Sequence, residues 1–181
     1  MGWTKTNFEG VWVFEPKIWG DHRGYFLESF NENEFAVTKQ NVRFVQDNEA
    51  KSQRGVLRGL HYQVGEAAQS KLVRVVTGEV LDVIVDIRPH SSTYGQHMSI
   101  ILNDISKKQL FVPKGFAHGY VVLSDEAIFV YKVDTFYNKE ARGAIAYNCP
   151  TLNIDWALDI EHLQLSEKDK NAPMFGAHKA F

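Results

Sequence analysis

Two segments concentrate the residue types that move protons and grip anions. The first is Gly55-Val56-Leu57-Arg58-Gly59-Leu60-His61-Tyr62-Gln63, in which an arginine and a histidine sit among glycines. Glycine lets a backbone and a ligand approach closely, and a guanidinium holds phosphate through two parallel hydrogen bonds. The second is Pro113-Lys114-Gly115-Phe116-Ala117-His118-Gly119-Tyr120, which sets another histidine just after a Pro/Gly turn, at the start of a strand. Imidazole gives and takes protons near neutral pH. An anion grip beside proton-transfer groups is the chemistry on offer.

Such groups need a scaffold, and the flanking sequence reads as strands. Residues 71–76 and 80–88 are rich in valine and isoleucine, and Thr77-Gly78-Glu79 between them reads as a tight turn, which predicts a hairpin. In the second arm Leu81, Val83, Val85 and Ile87 form an apolar face, while Val80, Asp82, Ile84 and Asp86 form a mixed one. A mixed inner face suits a barrel that holds a polar ligand. Further strands are predicted at 10–15, 43–48, 96–102, 109–112, 120–123, 127–133 and 144–147. Short helices are predicted at 31–37, capped by Asn31, and from Ser166 onward. Many short strands and little helix argue for an all-β barrel or sandwich.

At 181 residues and 44% hydrophobic content, residues 1–181 suffice for one well-buried domain and are short for two. A net charge of -2 gives no electrostatic reason to expect nucleic acid or an anionic membrane as partner. The single cysteine, Cys149, has no intramolecular partner, and the N-terminus lacks a basic-then-apolar signal, so a cytoplasmic location is expected. No apolar run approaches the roughly 20 residues that span a bilayer.

Pro113-x-Gly115-x-x-His118 matches the second half of the cupin signature. The first half normally supplies His-x-His and a nearby glutamate, but here His61 is followed by Gln63. Two histidines make a poor metal site, so none is expected and both rings are free for acid–base work. The chain further resembles the dTDP-4-dehydrorhamnose 3,5-epimerases, cupin-fold isomerases of deoxysugar biosynthesis. The resemblance runs through Asp21-x-Arg23-Gly24-x-Phe26-x-Glu28, Gln46-Asp47-Asn48, residues 55–63, 69–75 and 78–83, and 113–119. It continues in Tyr131-Lys132, Ile154-Asp155-Trp156 and Leu165-Ser166-x-Lys168-Asp169-x-x-x-Pro173.

That resemblance implies a cupin-type jelly-roll barrel that inverts C3 and C5 of dTDP-4-keto-6-deoxyglucose without a cofactor. It implies His61 as general base oriented by Asp169, and Tyr131 as general acid on the opposite face of the sugar. Lys71, with His118 nearby, would stabilise the enolate oxygen. Arg23, Phe26, Glu28, Gln46, Asn48, Arg58, Tyr137 and Lys168 would contact the substrate, with Arg23 to Glu28 reaching across a homodimer whose sites are shared. One position departs: Arg142 precedes Gly143 where the family usually has glutamate. The chemistry is coherent on its own terms, because a proton beside a ketone leaves only if the enolate is stabilised by fixed charge or donors. Inversion further demands a donor on the far face.

Plainer readings exist for each residue. A lone histidine is often a hydrogen-bonded structural residue, and Asp169 three residues after Ser166 could complete a helix cap. Tyr131 alternates with Phe129 and Val133 as core would, Lys71 could be a solvated charge and Arg23 a loop residue. Phe26 and Tyr137 could stack on a base or simply pack. Asp82 and Asp86 either face solvent or orient a histidine. The rival functions are a relative that inverts one carbon only, a metal-dependent cupin oxygenase, and a silent sugar-nucleotide binding module.

Overall fold

The computed structural model describes residues 2–181. Among them, in chain order, lie β1 (Gly2–Lys5), β2 (Trp12–Glu15), β3 (Trp19–Asp21), β4 (Gly24–Phe26), α1 (Glu32–Phe35), β5 (Gln46–Gln53), β6 (Leu57–Gln63) and β7 (Lys71–Thr77). These are followed by β8 (Glu79–Asp86), β9 (His97–Asn103), β10 (Gln109–Val112), β11 (Phe116–Val122), β12 (Glu126–Val133), β13 (Arg142–Ala144) and α2 (Glu167–Lys170). One sheet has six strands in the order β1-β2-β10-β7-β12-β5, and the other has five in the order β13-β6-β11-β8-β9. Strands β3 and β4 form a separate ribbon.

Period-two alternation explains the layers. Val73, Val75 and Phe129 from the six-stranded sheet meet Val80, Ile84, Tyr120 and Val122 from the other in the interior. On the outer face of the five-stranded sheet, Leu57, Leu81, Val83 and Val85 are covered by Ile145, Leu152 and Trp156 from the chain beyond β13. Strand β8 is thus buried on both faces. Each fully buried Val, Leu, Ile or Phe contributes about 1.5–3 kcal/mol relative to exposure, so both interfaces hold the functional strands rigidly. The mixed face of β8 does point inward, with Asp82 and Asp86 both fully buried.

Several expectations need correction. Strands β7 and β8 are not a hairpin: they belong to different sheets, and Gly78 (φ +79°) turns the corner between them. A Cβ on Gly78 would lie 2.1 Å from the Glu126 carbonyl oxygen, so the corner is closed against β12. The strand expected at 43–48 instead spans Gln46–Gln53, and that expected at 144–147 is Arg142–Ala144. The predicted strand at 10–15 begins only at Trp12, and that at 120–123 begins earlier, at Phe116. The glycine-rich segment 55–63 is largely the strand β6. Its glycines serve strand packing rather than ligand approach, since a Cβ on Gly59 would lie 2.4 Å from the Gly119 Cα. The helix read at 31–37 is α1 continued by a 3₁₀ turn over Ala36–Thr38, the one read from Ser166 is α2, and both are capped as read: Asn31 accepts from the Asn33 amide, and Ser166 from the Asp169 amide.

Candidate active site

A cavity of about 500 Å³ opens between the sheets. His61, Arg58 and His118 line it from the five-stranded sheet, Lys71 and Tyr131 from the six-stranded sheet, and Ser166 and Asp169 from the C-terminal segment. The register of β6 on β11 explains how Arg58 and His61, an odd three residues apart, both reach it. His118 pairs with His61 and Tyr120 with Arg58, so β6 spends one residue more than β11 over this stretch. This bulge resets the alternation and turns both side chains to one face.

His61 Nε2 lies 2.5 Å from Asp169 Oδ1. Asp169 is 4% exposed and also accepts the Ser166 hydroxyl at 2.8 Å on Oδ2. Burial pushes the Asp169 carboxyl up. The His61 bond and charge, the Ser166 bond and the Arg58 charge outweigh it and hold the group below the usual carboxylate range. A second pair stands beside the first. Fully buried Asp82 takes His118 Nε2 at 2.9 and 3.0 Å on its two oxygens. Sequence reasoning left Asp82 undecided; its place on the mixed face between Val80 and Ile84 was the signal.

Lys71 opens β7 with its ammonium 3.5 Å from the His61 carbonyl oxygen. Burial lowers its pKa to about 8, with the Asp82 charge acting the other way. Burial raises the Tyr131 hydroxyl, and the Arg58 charge offsets this only in part, so the phenol keeps its proton at neutral pH. Arg58 Nε donates to the Ser52 hydroxyl at 3.1 Å, which aims the guanidinium along the cavity wall. The arrangement offers a carboxylate-held imidazole, a cation and a protonated phenol around one space, enough to move a proton off one face of a carbon and onto the other.

The remaining expected contacts lie outside this lining. Asn48 on β5 is in register with Tyr131, and Gln46 bonds Asn48 at 2.8 Å, so both share the cavity-facing side of the sheet. Arg23 and Phe26 sit on the exposed β3–β4 ribbon, Arg23 ion-paired with Asp21 at 2.5 Å, and Glu28 follows, also exposed. Lys168 in α2 and Tyr137 beyond β12 are exposed as well. Arg142 is exposed on β13 opposite Gln63. Ser52, Tyr120 and Ser166, none of them foreseen as site residues, do belong to the site or its support. Among the described residues, the one group of three His, Cys, Asp or Glu side chains with metal-ligand spacing is Asp159, Glu161 and His162, all exposed and outside the cavity.

Two facing antiparallel sheets around a polar cavity place the chain among the cupin-type jelly-roll proteins. The profile of the family described as dTDP-4-dehydrorhamnose 3,5-epimerase matches residues 5–177. The enzyme of that name from Shigella flexneri is 49% identical over 97% of this chain and 96% of its own. A crystal structure of the Elizabethkingia anophelis enzyme superposes with a TM-score of 0.93 at 48% identity, covering 97% of each chain. That of the Legionella pneumophila dTDP-6-deoxy-D-glucose-3,5-epimerase, in complex with dTDP-4-keto-L-rhamnose, does so with 0.93 at 47% identity, covering 97% of this chain and 93% of the other. The chain belongs to the dTDP-4-dehydrorhamnose 3,5-epimerase family.

Proposed function

We propose that this protein is an isomerase that converts dTDP-4-keto-6-deoxyglucose to dTDP-4-keto-rhamnose by inverting C3 and C5. Family membership supports the substrate and reaction. The observation that carries the mechanism is the His61–Asp169 dyad on one sheet side of the cavity with Tyr131 on the other. With Nε2 engaged by Asp169, Nδ1 of His61 is the nitrogen left to take the proton from the carbon beside the ketone. The electron pair moves onto the C4 oxygen, where the Lys71 ammonium, with His118 held by Asp82, stabilises the enolate. Tyr131 then gives its proton to the carbon from the far face, and the pair collapses back to the ketone with inverted configuration. Base and donor each contribute on the order of 10²–10⁴-fold, so the site needs both.

Arg58, Gln46, Asn48 and Lys168 hold the nucleotide from within the chain. Arg23, Phe26 and Glu28 act on the site of a second copy. Their exposed ribbon, with Trp19, Tyr25 and Phe26 between 44% and 64% exposed, supports a homodimer with shared sites. Residues 1–181 act as one catalytic unit, and the lone buried cysteine, Cys149, fits a cytoplasmic setting. Separately, no helix of the described residues is long and apolar enough to cross a membrane. Incubation with the 4-keto sugar nucleotide in D₂O, read by NMR, tests the reading. Deuterium at both C3 and C5 with inverted product is expected; binding without exchange would overturn it.

A further inference from the structure

Gln63 stands two residues after His61 on β6 and is 5% exposed. Its carboxamide is fully used on backbone. Nε2 donates to the Ala67 carbonyl at 2.8 Å and to the Phe136 carbonyl at 3.4 Å, and Oε1 accepts the Asn138 amide at 2.6 Å. The last two bonds bracket Tyr137, gripping the residue before it and the residue after it. Neighbouring bonds fix the approach to this bracket: Gln69 Nε2 donates to the Thr135 carbonyl at 2.6 Å, and the Ser70 amide donates to Asp134 at 2.7 Å. Yet the rings so held face water, with Phe136 66% and Tyr137 58% exposed.

A surface loop ordinarily gains nothing from such anchoring. Ordering a segment costs conformational entropy, and an exposed ring returns no burial to offset it. The anchoring becomes useful when a ligand covers the ring, because a preset contact avoids that cost at the moment of binding. We infer that Gln63 is a positioning residue: through its bracket on Phe136 and Asn138 it holds the Tyr137 ring in a fixed place relative to His61, as an aromatic face against which the nucleotide sugar packs. The inference rests on the reading of the cavity as the epimerase site. It also gives the position where metal-bearing cupins carry a histidine a different task, that of a backbone clamp rather than a ligand.

The test is a double-mutant cycle of Gln63→Leu and Tyr137→Ala, read by epimerisation kinetics. Gln63→Leu should raise KM and lower kcat/KM by about 10-fold or more, approaching the roughly 10²-fold that a 1 Å misplacement can cost. In the Tyr137→Ala background the same change should have little further effect, because Gln63 acts through that ring. An equal fold-loss in both backgrounds would overturn the proposal, since it would mean a general structural role. Gln63→Glu, which keeps the acceptor for the Asn138 amide and loses both donations, repeats the cycle should the leucine variant not fold, with the same two outcomes. Amide exchange of ligand-free protein separates the clamp from the function. Asn138 should exchange faster in Gln63→Leu, and an unchanged rate would overturn the clamp even if the wild-type chain proved to have another substrate.

Discussion

Asp169→Asn is expected to damage the enzyme more than Asp169→Ala, although asparagine is the closer mimic. The reason lies in Ser166, whose hydroxyl donates to Asp169 Oδ2 at 2.8 Å while His61 Nε2 meets Oδ1 at 2.5 Å. A carboxylate accepts both bonds; an asparagine side chain has one acceptor oxygen and one donor nitrogen. With Ser166 holding the oxygen, the amide nitrogen turns to His61 and donates. Nε2 must then accept, the ring hydrogen moves to Nδ1, and the nitrogen needed to take the carbon-bound proton is already occupied. A base locked in the wrong tautomer loses roughly 10⁴-fold in kcat. Alanine leaves the tautomer free and removes a charged hydrogen bond of about 1.5–3 kcal/mol, which at about 1.36 kcal/mol per decade is roughly 10- to 150-fold. Initial rates of epimerisation and of deuterium incorporation in D₂O, on variants matched by thermal melt, measure both. Asparagine retaining as much activity as alanine would refute the tautomer argument.

Four further outcomes are expected. Burial holds Lys71 at about 8, so its cation is present below that pH and lost above it. kcat/KM should therefore fall as pH rises through about 8, and Lys71→Arg should keep its plateau there; an identical fall in the arginine variant would assign the limb to another group. Tyr131→Phe should still exchange protons through His61 in D₂O but return deuterium from the same face, giving labelled sugar of unchanged configuration, and wild-type inversion would show that another acid serves. Activity should survive exhaustive chelation, because Gln63 replaces the second histidine of a metal-bearing cupin and is committed to backbone; loss restored by one divalent ion would contradict this. Gly59→Ala places a Cβ 2.4 Å from the Gly119 Cα at φ +131°. It should cost about 2 kcal/mol or more, and an unshifted denaturant midpoint would show that the strands part easily.

The strands that could be read were those whose two faces differ in polarity. Strand β8 announced both its layers, because after Glu79 at its start the outward Leu81, Val83 and Val85 are apolar, while the inward residues alternate Val80, Asp82, Ile84, Asp86. Strand β5 has the sequence QDNEAKSQ and could not be read to its end, since one side meets the polar cavity and the other bears exposed charge. The Gly78 turn was legible as a turn, but turn chemistry fixes a change of direction and not which sheet the next strand joins. Within the site, Arg58, His61 and His118 stood out by local context. Asp169 did not: a serine three residues earlier reads equally as a helix cap, and the structure shows Ser166 doing both jobs. The exposed Arg23, Phe26, Glu28, Tyr137 and Lys168 rest on family resemblance, and no periodicity would have found them.

The dyad joins residues 108 apart, and Asp169 lies downstream of every strand. Synthesis runs from the N-terminus, and domains begin to fold as they emerge. Under the proposed assignment, a nascent chain can lay down both sheets, with His61, Lys71 and Tyr131 in place, while its base still lacks the carboxylate that sets its tautomer. Acid–base competence then arrives last, when residues 166–169 leave the ribosome and dock against β6. A chain still lacking residues 164–169 would have the sheet walls of the pocket but neither its C-terminal wall nor the carboxylate that sets the base, so the order of translation delays proton chemistry until that segment has docked.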